Sequence, residues 1–148
     1  MRNNDAQSLA FGLLAASRAL VDGVSAGVRA RGFSDIRPAH GFAFARLSAG
    51  GATITELAEH LDVSRQAAAQ LVDELIAKGY VERHRHPLDA RARLIMLTEK
   101  GRACTRAAEA AITDTLRPWE AVLGPEGLLS LRNDLLRVAP GGPLRPVW

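Results

Sequence analysis

The chain is poor in the features that usually betray an enzyme, a secreted module or a membrane protein. It holds one cysteine, Cys104, so no intramolecular disulfide can form. Aromatic residues make up 5% of the 148 positions while alanine and leucine abound, which disfavours a sandwich or barrel and favours a helical protein. No uninterrupted apolar run approaches the ~18 residues of a membrane span. The first twenty residues could be misread as a signal peptide, but Asn3, Asn4, Asp5, Gln7, Ser8, Ser17 and Arg18 interrupt them. The chain therefore reads as cytosolic, with no membrane partner. No Ser/His/Asp order, P-loop, GxGxxG or metal-ligand cluster appears, so neither an enzyme nor a cofactor is indicated. There is no internal repeat, and the one low-complexity tract is the tail APGGPLRPVW.

What is present suffices for a core, since hydrophobic residues make up 47%. The formal net charge is +3 with a pI near 9.7, so the placement of charge matters more than its amount. Leu9, Leu13, Ala16, Leu20, Val24 and Val28 recur at helical spacing and predict a first helix over residues 5–31, stopped at Gly32. Its narrow seam suits pairing with a helix of a second subunit, or packing within one chain. Residues 36–47 read as a second helix with Pro38 in its first turn, where His40 and Phe44 share a face.

Thr53 and Glu56 have the spacing of a capping box, and Leu57, Ala58 and Leu61 give the short helix that follows its buried side. After a tight connection at Asp62-Val63, Ser64 caps another helix. Two short helices joined in this way are a helix-turn-helix pattern. Ala68, Leu71, Val72 and Leu75 point inward on the second; Arg65, Gln66, Ala69, Gln70 and Asp73 point outward. Its first two turns expose one arginine, two glutamines and small alanines without an acid. That suits a major groove, where Gln pairs bidentately with adenine and Arg with guanine. Taken alone the same face is a solvated helix surface, since Gln and Arg are good helix formers.

The next stretch decides for DNA. Gly79 ends the helix, residues 80–84 alternate like a strand, and residues 94–97 return as a second. Between them runs RHRHPLDARAR, with Arg83, Arg85, Arg91 and Arg93 against the single acid Asp89. That surplus of three positive charges equals the net charge of the whole chain, so the attraction to phosphate is concentrated on one hairpin. Pro87 and Asp89 suit its tip. Thr98 then caps a long helix that Pro118 should kink or divide, and Gly124-Pro125 opens a last helix with Leu128, Leu131, Leu135 and Val138 at helical spacing.

The pattern Thr53-x-x-Glu56-Leu57-Ala58, Val63-Ser64-x-Gln66, Leu75-x-x-x-Gly79-Tyr80-Val81-x-Arg83 and Asp89-x-Arg91 followed by Leu97-Thr98-x-x-Gly101 resembles the MarR family of bacterial transcriptional regulators. The motifs cover about residues 36–106, and the Asp-x-Arg wing followed by Leu-Thr is the most specific part. The resemblance implies a mainly α fold with a β-hairpin wing. Residues 1–35 would form an N-terminal dimerisation helix, 36–98 a winged helix-turn-helix DNA-binding lobe, and 99–148 C-terminal dimerisation helices and a tail. It implies a homodimer that represses from a pseudo-palindromic duplex operator and is released by a small aromatic or anionic effector. Ser64, Arg65, Gln66 and Gln70 would contact bases and phosphates, with Arg83, Arg85 and Arg93 adding charge. Arg91 would enter the minor groove, where narrowing strengthens the negative potential. Asp89 would hold Arg91 or Arg93 through charge-assisted hydrogen bonds, or serve as a turn-forming residue.

The remaining features have plainer readings beside the functional ones. His84 and His86 could form half a metal site, but they lack a third ligand and sit in a basic hairpin that repels a cation. Cys104 reads as a buried, idle thiol rather than a redox sensor. His40 and Phe44, with Phe11 near, are core residues by spacing and pocket-lining residues by analogy of position. Trp119 and Trp148 are candidates for packing at the dimer end, and the sequence alone does not place them. A winged helix can also be a protein-docking module, which would show a wing poor in arginine and an acidic or apolar recognition face.

Overall fold

The structure, a computed structural model, describes residues 2–139; Trp148 and nearly all of the proline- and glycine-rich tail lie outside the described residues. Five helices and one hairpin follow in the order α1 (Asn3–Ala30), α2 (Pro38–Ser48), α3 (Ile54–Leu61), α4 (Arg65–Ala77), β1 (Val81–Arg85), β2 (Arg93–Leu97) and α5 (Glu99–Val138). The fold is mainly helical with a small antiparallel hairpin, Val81 pairing with Leu97 and Arg85 with Arg93. Ala52 adds an isolated bridge to Ile95, anchoring the approach to α3 on the base of the hairpin.

Local chemistry sets the boundaries of these elements. Thr53 and Glu56 form the reciprocal capping box at the start of α3, with Glu56 N–H donating to the Thr53 hydroxyl and Thr53 N–H to the Glu56 carboxylate. Asp62 follows in the left-handed region, φ 51°, and turns the chain into the Ser64 cap of α4. Thr98 caps α5 and also donates to the carbonyl of Gly79, tying the end of α4 to the start of α5.

The core of the winged lobe is Leu57, Leu61, Val72, Leu75, Val81 and Ile95, all nearly or wholly removed from solvent. Each such side chain contributes about 1.5–3 kcal/mol of burial. Tyr80 joins them, its ring tilted against Phe44 and Phe33 at centroid distances of 5.6 and 6.3 Å. A side chain at Gly101 would collide with the Tyr80 carbonyl, so this glycine lets α5 start hard against the lobe.

The C-terminal half of α1 lies on α5. A Cβ at Gly27 would come within 2.7 Å of the Ala111 Cβ, so the two backbones approach as only glycine permits. Arg31 closes that crossing with an ion pair to Asp114 at 2.6 Å. The N-terminal half stands clear: Leu9, Phe11, Leu13 and Leu14 are exposed. The seam read from sequence thus divides, with Val28 buried in the chain and Leu9 and Leu13 uncovered.

Two expectations are corrected. Pro118 does not divide α5; the break falls at Gly124, with φ 72° and ψ 164°, where Gly124-Pro125 was expected to open the last helix. Pro118 is exposed, so the carbonyl it leaves free can meet water, whereas the backbone at Gly124 leaves the helical region outright. Second, α1 contains an 18-residue window of mean hydropathy 1.4, so by length and composition it could cross a membrane although no uninterrupted apolar run is that long. None of that window is buried inside the chain.

Candidate nucleic-acid interface

The exposed face of α4 starts where the Ser64 hydroxyl accepts from Ala67 N–H at 3.1 Å. Arg65, Gln66, Ala67, Gln70 and Asp73 are exposed along it, while Ala68, Val72 and Leu75 are buried against α3 and the hairpin. The first turn carries no acid. Two turns therefore present hydrogen-bonding side chains on small neighbours, the shape and chemistry a major groove admits.

Beside it, β1 buries only Val81 and exposes Glu82, Arg83, His84 and Arg85. In the register of the hairpin Arg85 lies directly opposite Arg93. Like charges so placed repel, and a phosphate anion between them would relieve the repulsion. The tip is ordered by its own hydrogen bonds: Leu88 N–H donates to His86 Nδ1 at 3.1 Å, and Arg91 N–H donates to the Asp89 carboxylate at 2.9 Å. Asp89 thus serves as the turn-forming residue. It grips the Arg91 backbone rather than either guanidinium, contrary to the charge-assisted contact expected for Arg91 or Arg93. The Arg93 guanidinium instead donates to the carbonyls of Ala90 and Ala92, both at 3.4 Å. Arg65, Arg85 and Arg91 pair with no acid among the described residues, whereas Arg83 is engaged by Asp73 and His84 by Glu82.

His84 and His86 each have another partner, and among the described residues no three His, Cys, Asp or Glu side chains gather as a metal site would need. Cys104 is buried, and burial pushes its thiol up to about 11, which keeps it protonated at neutral pH.

A polar cluster behind α4 was not foreseen. His40, fully buried, accepts the Arg37 N–H on Nδ1 at 3.0 Å, which leaves the proton on Nε2 to face the Glu74 carboxylate at 3.3 Å. Glu74 also takes Arg37 and Lys78, and these partners, Lys78 foremost, hold its carboxyl down to about 2. Burial lowers the His40 pKa against the opposing pull of Glu74. Tyr80 donates to Asp35 at 2.6 Å, and that hydrogen bond holds the Asp35 carboxyl below its usual range. The cluster fixes the start of α2 to the back of the helix that carries Gln66 and Gln70. No spacing in the sequence joins residues so far apart; a histidine in the first turn of α2 was the only local hint.

An open cavity of about 270 Å³ lies between the end of α2, Gly50-Gly51, the end of β2 and the first turns of α5. Leu47, Met96 and Leu97 supply apolar lining, and Arg102 and Arg106 basic groups. His40 and Phe44 are buried in the core and do not line it. Trp119 is half-buried on α5.

Residues 34–92 match the protein-family model described as MarR family. No curated protein sequence matches the chain. Among solved structures, RV1404 from Mycobacterium tuberculosis is 25% identical, with 98% of this chain and 99% of that one covered and a TM-score of 0.76. The transcriptional repressor CouR, solved bound to a DNA duplex, is 25% identical over 93% of this chain and 96% of its own, with a TM-score of 0.75. A mutant MarR from E. coli, solved with operator DNA, shares the fold at 24% identity and a TM-score of 0.74, with 93% and 97% covered.

Proposed function

We propose that the chain is a DNA-binding transcriptional regulator of the MarR family, whose model matches residues 34–92, and that it acts as a cytoplasmic homodimeric repressor on a pseudo-palindromic operator. One observation carries this reading. The acid-free first turns of α4 lie beside a hairpin whose tip holds unpaired Arg91 and the opposed Arg85 and Arg93. Ser64, Arg65, Gln66 and Gln70 enter the major groove, Arg91 the minor groove, and Arg85 and Arg93 meet phosphate, with Asp89 shaping the loop. Residues 36–98 are the reading lobe; residues 1–35 and 99–148 join two copies, so that two lobes reach half-sites one helical turn apart.

A second copy of this chain, rather than lipid, covers the N-terminal half of α1. The helix carries Arg18 and Asp22 in mid-course and is fastened to α5 beyond them. A small aromatic or anionic effector fits the cavity between lobe and α5, whose lining combines apolar surface with Arg102 and Arg106. A protein-docking role is disfavoured by the arginine-rich wing and by a recognition face that is neither acidic nor apolar.

The test is a fluorescence titration of the intergenic DNA upstream of the gene. Arg91→Ala should weaken binding several-fold and flatten the slope of log affinity against log salt by up to about 1.8, roughly 0.9 for the charge lost from each of the dimer's two wings. Unchanged affinity and slope would remove Arg91 from the interface.

A further inference from the structure

We propose that Asp73 sets DNA selectivity by holding Arg83 away from the phosphate backbone and bracing the wing against the recognition helix. The inference rests on the DNA-binding reading above and changes the part that Arg83 plays in it. Asp73 lies on the exposed face of α4, one turn beyond Gln70, and its carboxylate takes the Arg83 guanidinium of β1 at 2.5 Å. Both side chains are substantially exposed, at 65% and 44%, so the pair does little for the stability of the lobe. It does span the two elements that must enter adjacent grooves. The buried cluster of Val72, Leu75, Val81 and Ile95 fixes the base of that junction, and the Asp73–Arg83 pair adds a tie on its exposed, DNA-facing edge.

The charges on this face are sorted by position. Arg65 at the start of α4 and Arg85 and Arg91 on the outer wing have no acidic partner among the described residues. Arg83 and His84, nearer the base of the hairpin, are held by Asp73 and Glu82. The cations at the extremities are free for DNA, and the seam between helix and wing is neutralised. Non-specific binding is almost wholly electrostatic, so an acid on this seam weakens it on every sequence. A rigid angle between helix and wing favours the duplex whose grooves fit. Discrimination then comes from a repulsive element as well as an attractive one.

The experiment titrates two duplexes across a salt series: the tightest binder that the wild-type protein selects from a random pool, and its scrambled counterpart. Asp73→Asn should bind the scrambled duplex roughly tenfold more tightly, with a salt slope steeper by about 1.8, roughly 0.9 for each wing of the dimer, and lose selectivity. Arg83→Gln alone should leave the wild-type slope unchanged, yet remove the added slope when combined with Asp73→Asn. Asp73→Glu should restore wild-type selectivity. A slope flattened by about 1.8 in Arg83→Gln alone, two contacts per dimer, would show Arg83 already on phosphate and overturn the proposal. Selectivity and slope that survive Asp73→Asn would overturn it while leaving the DNA-binding reading intact. A wild-type protein that binds neither duplex would overturn both.

Discussion

The winged lobe and the terminal helices solve the same physical problem to different degrees. In the lobe, Leu57, Leu61, Val72, Leu75 and Ile95 are covered by the chain's own elements. In the terminal helices, Leu9, Phe11 and Leu14 of α1 and Val122, Leu136 and Val138 of α5 remain in water. Exposed single leucines are ordinary, but a series along both ends of the chain is apolar surface awaiting a partner. The lobe is finished within one chain, and on the proposed reading the terminal helices are finished by a second. That division suits a protein that presents a rigid reading head on a paired base.

The contrast can be broken at either end. The largest effect belongs to the closed side: Leu75→Ala should cost the lobe about 2–5 kcal/mol, read as a lowered denaturant midpoint. A loss below about 1 kcal/mol would show that the lobe is loosely packed. On the open side, Leu14→Asp combined with Leu136→Asp should weaken self-association by roughly two orders of magnitude, because a charge would be buried in the apolar seam. Sedimentation would follow the association and near-ultraviolet circular dichroism the lobe, which should keep its fold. Coupled loss of both would mean that the two regions are one cooperative unit.

A smaller effect probes the polar cluster inside the lobe, which joins α2 to α4. Burial lowers the pKa of His40 in the folded protein, so its neutral form is the one the fold accommodates. The associated stability is complete above the unfolded value of 6.5 and is lost as pH falls from there through the folded value. Protonation of Nδ1 would also remove the acceptor for the Arg37 N–H. Glu74, held at about 2, keeps its charge through this window and loses its own contribution only in stronger acid. Denaturant midpoints should therefore fall for the wild type between pH 7.5 and 5.5, and fall less for His40→Gln, whose amide can accept and donate in the same places but does not titrate. Parallel curves would remove His40 as the origin.

The finished region was also the more legible one in the sequence. The capping box of Thr53 and Glu56, the Ser64 cap and the Gly79 stop act within a few residues, so spacing alone exposes them. The alternation of the hairpin and its surplus of arginine were equally local. Contacts made by folding were not: Tyr80 meets Asp35 across 45 positions and Glu74 meets Arg37 across 37. The partner of Arg83 was hidden for the same reason, since counting charges along the hairpin leaves out Asp73 on α4. Pro118 misled because its cost depends on whether the freed carbonyl reaches water. The open cavity beside α5 drew on Gly50, Met96 and Arg106, three segments that no periodicity connects.

Sedimentation equilibrium of the wild-type chain at about 10 micromolar, where a dimer with a Kd of about 1 micromolar is mostly paired, tests this division most directly. The account predicts a mass close to twice the 15.9 kDa of one chain. A folded 15.9 kDa monomer that binds its selected duplex with undiminished affinity would contradict it.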